Sequence, residues 1–450
     1  MAEDQSHRSG SDRVPLVIGP ITGSTLPYGL PRRDLEAIGY VAEEFQIEGS
    51  ARAFRPTDGT EPDIDGRWHA EAFGEAPYRT RLLVVRPTDP VTFSGTVIVN
   101  WQNVSAGFET GGASSDEIFD AGHAWVGVSA QEVGIYGFAA GMGRRMAGLG
   151  VPLIAHDPER YSALRHPGDL CSFDIFTQAG LTVGSQRNGD IDPLGGLRVE
   201  RLIATGASQS AMRLAAYLNA LHHDARVFDG FLLSVWEGRA PLLTDGTFSI
   251  PMRTAIRDDI EEPVMIVNSE FEAASLALAG VLDTPTRRVW EVTGTPHAVA
   301  PVKSDRPDDR GRMINRLTYK PIYDAALRAL HRWLTHAIAA PHQPRIEMDA
   351  TGATVLRDQF GNGLGGIRLP EIEAPTFEYR ASAFGTGRAP LFGAARPFTQ
   401  DELRSLYPTR EEFIARWENA VDVLVASGAL RVEDAPMVAQ RASEMAPPLE

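Results

Sequence analysis

The sequence predicts an α/β fold with a mostly parallel eight-stranded sheet and helices on both faces. The chain has 450 residues, 43% of them hydrophobic, which is enough to bury a large core. Short runs rich in valine and isoleucine recur along it, and helix-forming segments lie between them. That alternation is typical of a parallel sheet covered by helices. Within residues 199–222, one such run, at 199–204, leads through a tight turn directly into a helix-forming stretch.

Eight apolar runs are predicted strands because β-branched residues favour extended backbone. They span residues 40–48, 79–86, 95–100, 124–129, 199–204, 228–234, 263–268 and 287–292. Three helices are predicted from capping residues, from the absence of glycine and proline, or from helical spacing of apolar residues. They span residues 114–121, 209–222 and 321–340.

Two regions follow from this pattern. Residues 14–340 are predicted to form the sheet domain, with a long excursion at 131–195 that is a candidate lid over a pocket. Residues 341–450 begin with loops rich in proline and glycine and continue into a helical tail. We expect this C-terminal region to pack on the sheet domain.

The net charge and the composition limit the classes of partner and the cellular location expected for this chain. The formal net charge of −16 disfavours nucleic acid and anionic membranes. Cys171 is the single cysteine, so an intrachain disulfide is excluded. Residues 1–13 hold no hydrophobic stretch typical of a signal peptide, and no segment approaches the ~18 apolar residues of a membrane span. We therefore expect a cytoplasmic protein without a membrane partner, and the oligomeric state stays open.

No nucleotide or metal motif stands out. The chain has no G-x-x-x-x-G-K-[ST], no H-E-x-x-H and no paired Cys/His ligand set. The glycine-rich stretch at 361–366 runs into Ile-Arg-Leu-Pro, and a proline there favours a loop over the helix that a dinucleotide site needs. The sequence predicts no cofactor and no metal.

Ser208 is the candidate nucleophile. A strand that stops abruptly and feeds a helix leaves a serine in the turn at the carboxyl edge of the sheet, next to helix N–H groups that favour negative charge. Residues 206–210 read Gly-Ala-Ser-Gln-Ser, which departs from G-x-S-x-G at the last position. The similar Gly-Ala-Ser at 112–114 lacks a preceding strand. The sequence therefore predicts acyl-transfer chemistry at Ser208.

His297 is the candidate general base. A serine needs a histidine to take its proton, and in this fold order the nucleophile comes first, then the acid, then the histidine. His297 lies in the loop after the predicted strand at 287–292, downstream of an acidic turn at 269–272. It is the one histidine of eleven that combines these two properties.

The triad acid has three candidates. Counted from Pro263, the usual register of a strand and acid turn points to Glu272. Glu270 is nearer the strand end and follows a small Ser269. Glu237, after the strand at 228–234, is the third. The residues alone leave the choice open.

An oxyanion hole needs backbone donors aimed at the developing negative oxygen. One predicted donor is the N–H of Gln209, the residue after the nucleophile. The second is expected from the loop after the strand at 95–100, where Asn103 is preferred and Gln102 is the alternative.

Several motifs together resemble a family of bacterial α/β-hydrolase-domain proteins over nearly the whole chain. They are Thr80-Arg81-Leu82-Leu83-Val84, Asn100-Trp101-Gln102-Asn103-Val104-Ser105, Gly206-Ala207-Ser208-Gln209-Ser210, Asn268-Ser269-Glu270, Glu291-Val292-Thr293-Gly294-Thr295-Pro296-His297 and Gly365-Gly366-Ile367-Arg368-Leu369-Pro370. The resemblance implies an α/β-hydrolase fold and serine-hydrolase chemistry. In the family's acid turn, Ser-Glu-x-Asp, Glu270 matches the glutamate and Glu272 stands where aspartate is common. The resemblance therefore favours Glu270.

These observations predict a cofactor-free serine esterase with a small-molecule ester substrate and an acyl-enzyme intermediate. Ser208, His297 and Glu270 would form the triad, with Glu272 as the alternative acid. A lactonase, an amidase or an acyltransferase could use the same triad. A non-catalytic binding module on the same fold is the alternative from a different class.

Overall fold

The computed structural model describes residues 14–138, 150–244, 251–300, 311–382 and 390–448. These residues form two compact units. The first runs to Leu233 and includes Arg239–Glu262, and the second combines Ser234–Gly238 with the chain from Pro263 onward. None of the points at which the chain passes from one unit to the other coincides with the expected boundary at 341. The division into 14–340 and 341–450 stays a prediction.

The strands and helices of the first unit are short apart from one long hairpin and two twelve-residue helices. The strands are β1 (Leu16–Ile18), β2 (Tyr40–Pro56), β3 (Ala70–Pro87), β4 (Thr96–Trp101), β5 (Ala124–Val128), β6 (Arg201–Ala207), β7 (Gly230–Ser234), β8 (Arg239–Ala240) and β9 (Met252–Arg253). The helices are α1 (Asp116–Asp120), α2 (Glu132–Tyr136), α3 (Leu153–His156), α4 (Pro158–Tyr161), α5 (Ser172–Val183), α6 (Gln209–Ala220) and α7 (His222–Ala225).

The second unit contains two more strands of the main sheet and a largely helical C-terminal part. Its strands are β10 (Val264–Ser269), β11 (Arg287–Val292), β12 (Met313–Ile314), β13 (Phe377–Arg380) and β14 (Ala394–Pro397). Its helices are α8 (Ala273–Leu278), α9 (Lys320–His336), α10 (Pro370–Glu373), α11 (Gln400–Leu406), α12 (Arg410–Ala426) and α13 (Ala435–Met445).

The main sheet confirms the predicted fold class. Over the described residues it has nine strands, in the order β1-β2-β3-β5-β4-β6-β7-β10-β11. All eight predicted strands are present, and the three-residue β1 is the addition. The pairs β4/β5, β4/β6 and β10/β11 are parallel. The β1/β2, β2/β3 and β3/β5 pairs are antiparallel.

The core of the first unit lies around the parallel strands. Nearly every residue of β4, β5 and β6 is buried, as expected for strands covered on both faces. Helix α5 is buried along almost its whole length. The helix lies within the predicted excursion at 131–195, so this part of the excursion, Ser172–Val183, belongs to the core of the first unit. Residues 139–149 of the excursion lie outside the described residues, and a covering role for the remainder stays a prediction.

In the second unit the long helix α9 is shorter than predicted. It packs through Leu327 and Leu330 and ends at His336 rather than at 340. Ala337 adopts a left-handed conformation (φ 55°) and donates its N–H to the carbonyl of Trp333, which closes the last turn. Beyond that point Ile338 is exposed, whereas Ala340 is buried.

Candidate active site

The turn at Ser208 is the sharpest feature of the first unit. Strand β6 ends at Ala207 and helix α6 begins at Gln209, so Ser208 is the single residue between them. Its backbone has φ 56° and ψ −119°, a conformation that residues other than glycine rarely adopt. Such a conformation costs ~1–3 kcal/mol and persists only where the surroundings hold it.

Two neighbours of Ser208 hold this turn. A Cβ on Gly206 would lie 2.8 Å from the carbonyl oxygen of Ser210, so only glycine fits where the strand meets the helix. The buried Ser210 hydroxyl donates to the carbonyl of Ala207 and accepts its N–H, each at 2.9 Å. Ser210 therefore stabilises the turn by hydrogen bonds at the position where the usual motif has its last glycine.

The loop after β4 is attached to this turn. Asn103 donates from Nδ2 to the carbonyl oxygen of Ala207 at 2.8 Å. The N–H of Gln102 is committed to the carbonyl of Val128 in β5 at 3.2 Å. The main chain of Asn103 forms an isolated antiparallel bridge with Thr110, whose N–H donates to the Asn103 carbonyl at 2.8 Å. The preference for Asn103 over Gln102 as the second oxyanion donor stays a prediction.

A buried polar network, which the sequence reasoning missed, lies beside the turn at residues 206–210, called the elbow below. Gln131 accepts through Oε1 from the side chain of Gln209 at 3.0 Å and from the indole of Trp101 at 3.1 Å. Its amide donates to Asp169 at 2.8 Å, and Arg213 lies 3.5 Å from the same carboxylate. These residues come from four distant parts of the chain, and neither Gln131 nor Asp169 stands in a motif that the sequence analysis identified.

His297 and a carboxylate meet in the second unit. His297 lies in the loop after β11, and its Nδ1 is 2.5 Å from Oε1 of Glu272. The Glu272 side chain is fully buried and that of His297 is 8% exposed. Phe271 packs edge-on against the imidazole, with ring centroids 5.5 Å apart. This pair has the geometry of a histidine whose ring is oriented by an acid.

Glu272 is held by the start of its own turn. Its Oε2 accepts from the Ser269 hydroxyl at 2.6 Å and from the Ser269 N–H at 3.0 Å, which is a capping box. Both carboxylate oxygens are therefore engaged. The third candidate acid, Glu237, lies after β7, where its carbonyl accepts from the hydroxyl of Ser275 at 2.6 Å.

Glu270, the acid that the resemblance favoured, has other partners, and this preference is corrected. Its Oε1 accepts from Arg357 at 2.7 Å and its Oε2 from the N–H of Gly294 at 2.8 Å. Residues 270–272 form a 3-10 helix, in which side chains two positions apart point in directions about 120° apart. Only one of the two glutamates can then face His297, and it is Glu272.

The described residues hold neither a cluster of metal-ligating side chains nor a membrane-spanning helix. No group of three or more His, Cys, Asp or Glu side chains there is arranged to hold a metal ion. No helix in the same ranges combines the length and apolar character of a membrane span.

With this geometry in place, the comparison with known families decides the classification. A family model described as an alpha/beta hydrolase domain matches residues 17–440. The chain belongs to the alpha/beta hydrolase domain family. This membership agrees with the mixed, mostly parallel sheet of the fold. A comparison with curated proteins found no match.

Solved structures similar to this α/β-hydrolase-domain protein are distant. The structure of esterase Est22 shares 12% identity at a TM-score of 0.29, over 57% of this chain and 72% of that one. A structure from a study of two fungal esterases from Rhizomucor miehei shares 13% identity at a TM-score of 0.28, over 63% of this chain and 84% of that one. A structure from a study of two prolyl endopeptidases shares 12% identity at a TM-score of 0.29, over 56% of this chain and 35% of that one. We base the fold assignment on the family match.

Proposed function

We propose that this chain is a serine hydrolase that cleaves small-molecule carboxylic esters, with Ser208, His297 and Glu272 as its triad. The observation that carries the proposal is the backbone of Ser208, held at φ 56° between a strand and a helix in a member of a hydrolase family. A strained residue in that turn is typical of a nucleophile whose hydroxyl must project from the sheet edge.

The His297–Glu272 pair supports the second half of the mechanism. An ionised carboxylate only accepts hydrogen bonds, so Nδ1 of His297 carries the proton shared with Oε1 of Glu272. Nε2 is then the basic nitrogen, and in the proposed reaction it accepts the Ser208 proton. Glu272 fixes this tautomer and stabilises the imidazolium that forms.

The proposed reaction has two halves. The Ser208 oxygen attacks the acyl carbon while His297 takes its proton, and the main-chain N–H groups of Gln209 and Asn103 stabilise the oxyanion. The tetrahedral intermediate collapses, the C–O bond to the alcohol breaks, and His297 returns the proton to the leaving alcohol. Water, deprotonated by His297, then attacks the acyl carbon of the acyl-enzyme. The bond between that carbon and the Ser208 oxygen breaks as His297 returns the proton to Ser208, and the carboxylic acid is released.

The first test is directed at the nucleophile. Ser208→Ala should lower kcat on a p-nitrophenyl ester by ~10⁴–10⁶-fold. A fluorophosphonate probe should label the native protein on Ser208, as identified by mass spectrometry of the labelled peptide. Thr205→Ser, in β6 before the elbow, is a control that should keep most activity. Near-normal turnover by Ser208→Ala would overturn the proposal.

The second test separates the two glutamates. Glu272→Gln should lower kcat by ~10⁴-fold, because an amide at this position can stabilise the wrong tautomer of His297.

Product analysis with an added alcohol as competing acceptor distinguishes hydrolysis from acyl transfer. Absence of any probe labelling at Ser208 would instead support a non-catalytic binding module.

A further inference from the structure

Glu270 is a buried carboxylate to which the proposed reaction gives no role. Its side chain is 1% exposed and lies two residues from Glu272. A buried carboxylate is costly unless it is paired and hydrogen-bonded. The two groups that it binds, Arg357 and Gly294, indicate what it does.

Gly294 belongs to the loop that carries His297. Its N–H donates to Oε2 of Glu270 at 2.8 Å, and its carbonyl accepts from Nδ2 of Asn315 at 2.7 Å. Its φ is 76°, and a Cβ there would lie 2.5 Å from Cδ1 of Ile372. The peptide three residues before the imidazole is therefore fixed on both sides.

Arg357 comes from the segment after 341 and completes the contact. It donates from Nη2 to Oε1 of Glu270 at 2.7 Å and from Nη1 to the carbonyl of Gly361 at 3.3 Å. A Cβ on Gly363 would lie 2.6 Å from Oε2 of Glu270, so the hairpin that carries Arg357 closes tightly over the carboxylate. The arginine both compensates the charge of Glu270 and fixes its orientation.

The same segment holds the rest of the loop. Thr293 donates from its N–H to the carbonyl of Ile367 at 3.0 Å and from its hydroxyl to that of Gly365 at 2.6 Å. On the other side, the N–H of Ala298 donates to the carbonyl of Leu391 at 3.0 Å. The C-terminal part of the second unit thus forms a frame around residues 293–298.

We infer that Glu270 and Arg357 are a positioning pair that holds the His297 loop so that the imidazole stays aligned with Glu272. This inference rests on the proposed function, since it assigns a purpose to that alignment. One short acidic turn then supplies two carboxylates, Glu272 for the ring of His297 and Glu270 for the peptide of Gly294. Neither positioning residue touches the reacting atoms.

The test uses the full-length protein and three variants of the pair. Arg357→Ala and Glu270→Gln should each lower kcat by about 10–100-fold with KM within about twofold, because displacement of a proton-transfer group by less than an ångström is that costly. Arg357→Lys should recover part of the loss, since an ammonium group can still form one charge-assisted hydrogen bond.

A spectroscopic signature distinguishes positioning from general stabilisation. The Nδ1 proton shared by His297 and Glu272 should give a downfield ¹H NMR resonance in the native protein, assigned by its absence from His297→Gln. We expect Arg357→Ala and Glu270→Gln to shift or broaden it. As matched control, Arg441→Ala breaks the ion pair with the buried Glu371 in the same unit and should leave the resonance and kcat unchanged.

Native-like kcat and an unshifted resonance in Glu270→Gln and Arg357→Ala would overturn the inference while leaving the Ser208 chemistry intact. If Arg357→Ala does not fold, Glu270→Gln and Arg357→Lys decide the question by the same two measurements. Failure of Ser208 labelling in the native protein would instead overturn the proposed function.

Discussion

The side-chain amide of Asn103 donates a 2.8 Å hydrogen bond to the carbonyl oxygen of Ala207, the residue immediately before Ser208. Its other atom, Oδ1, accepts the N–H of Ser105 at 2.9 Å. One side chain therefore shapes its own loop and ties that loop to the elbow. The two proposed oxyanion donors, the N–H groups of Asn103 and Gln209, depend on this link for their relative position.

We predict that Asn103→Ala lowers kcat about tenfold while KM changes little, since the lost hydrogen bond is worth ~1–1.5 kcal/mol and acts mainly on the transition state. Initial rates on a p-nitrophenyl ester measure this. Ser105→Ala keeps the N–H that Asn103 binds and is the matched control. Unchanged kcat in Asn103→Ala would show that the loop holds its position without the amide.

Ser208 itself offers a prediction about stability. Ser208→Ala removes the hydroxyl but keeps the strained backbone at φ 56°, whereas Ser208→Gly removes both. Relief of ~1–3 kcal/mol of strain exceeds the ~1 kcal/mol that glycine costs through a freer unfolded chain. Ser208→Gly should therefore be about 1 kcal/mol more stable than Ser208→Ala in urea unfolding, with both inactive. Equal or lower stability of the glycine variant would mean that the turn is not strained.

The strands could be predicted from the sequence because their signal is local. Runs such as 124–128 and 264–269 are apolar and β-branched, and buried strands need little else. Whether two strands pair in parallel or antiparallel does not depend on the local sequence of either strand alone. Strands β2 and β3 are joined by residues 57–69, which hold no helix, so they pair antiparallel as a hairpin that extends well past the predicted limits.

In the candidate site, too, some features have a local sequence signal and others do not. Ser208 and His297 could be proposed from the sequence because Ser208 directly follows β6 and His297 lies in the loop after β11. The choice between Glu270 and Glu272 depended on whether residues 270–272 coil as a 3-10 helix, which a three-residue stretch does not encode by itself. The Arg357 contact, from far along the chain, accounts for the second glutamate and could not be read from local sequence.

Asp192 allows a prediction about pH. Partial burial alone would raise the pKa of its carboxyl, but hydrogen bonds from Arg187 and from the N–H groups of Leu194 and Gly196 lower it below the ordinary 3.8. A pKa lower in the folded than in the unfolded state gives stability that is complete above the unfolded value and is lost as the pH falls through the folded value.

Asp192→Asn should therefore lower the free energy of unfolding at pH 7, and this difference from the native protein should shrink below about pH 4. Urea unfolding at pH 7 and at pH 3 measures both quantities. Asp190→Asn, two residues earlier in the chain, is a control that should change little. A difference that is the same at both pH values would contradict the assignment of the effect to ionisation of Asp192.

The Asp169–Arg213 pair beside the elbow leads to the last prediction. Both side chains are 1% exposed, and Asp169 also accepts from the amide of Gln131 and from the N–H of Glu132. Asp169→Asn would leave the buried guanidinium with a weaker partner. The expected loss is ~3–5 kcal/mol of unfolding free energy, as for other buried ion pairs that lose one member.

The double variant Asp169→Asn/Arg213→Met separates the charge from the packing. Removing the arginine as well eliminates the poorly compensated charge, so the double variant should be more stable than Asp169→Asn alone. Urea unfolding of the native protein, both single variants and the double variant completes the cycle. If Asp169→Asn alone were as stable as the native protein, the pair would not contribute through its charge, and the hydrogen bonds of Gln131 would be enough to hold the region beneath Gln209.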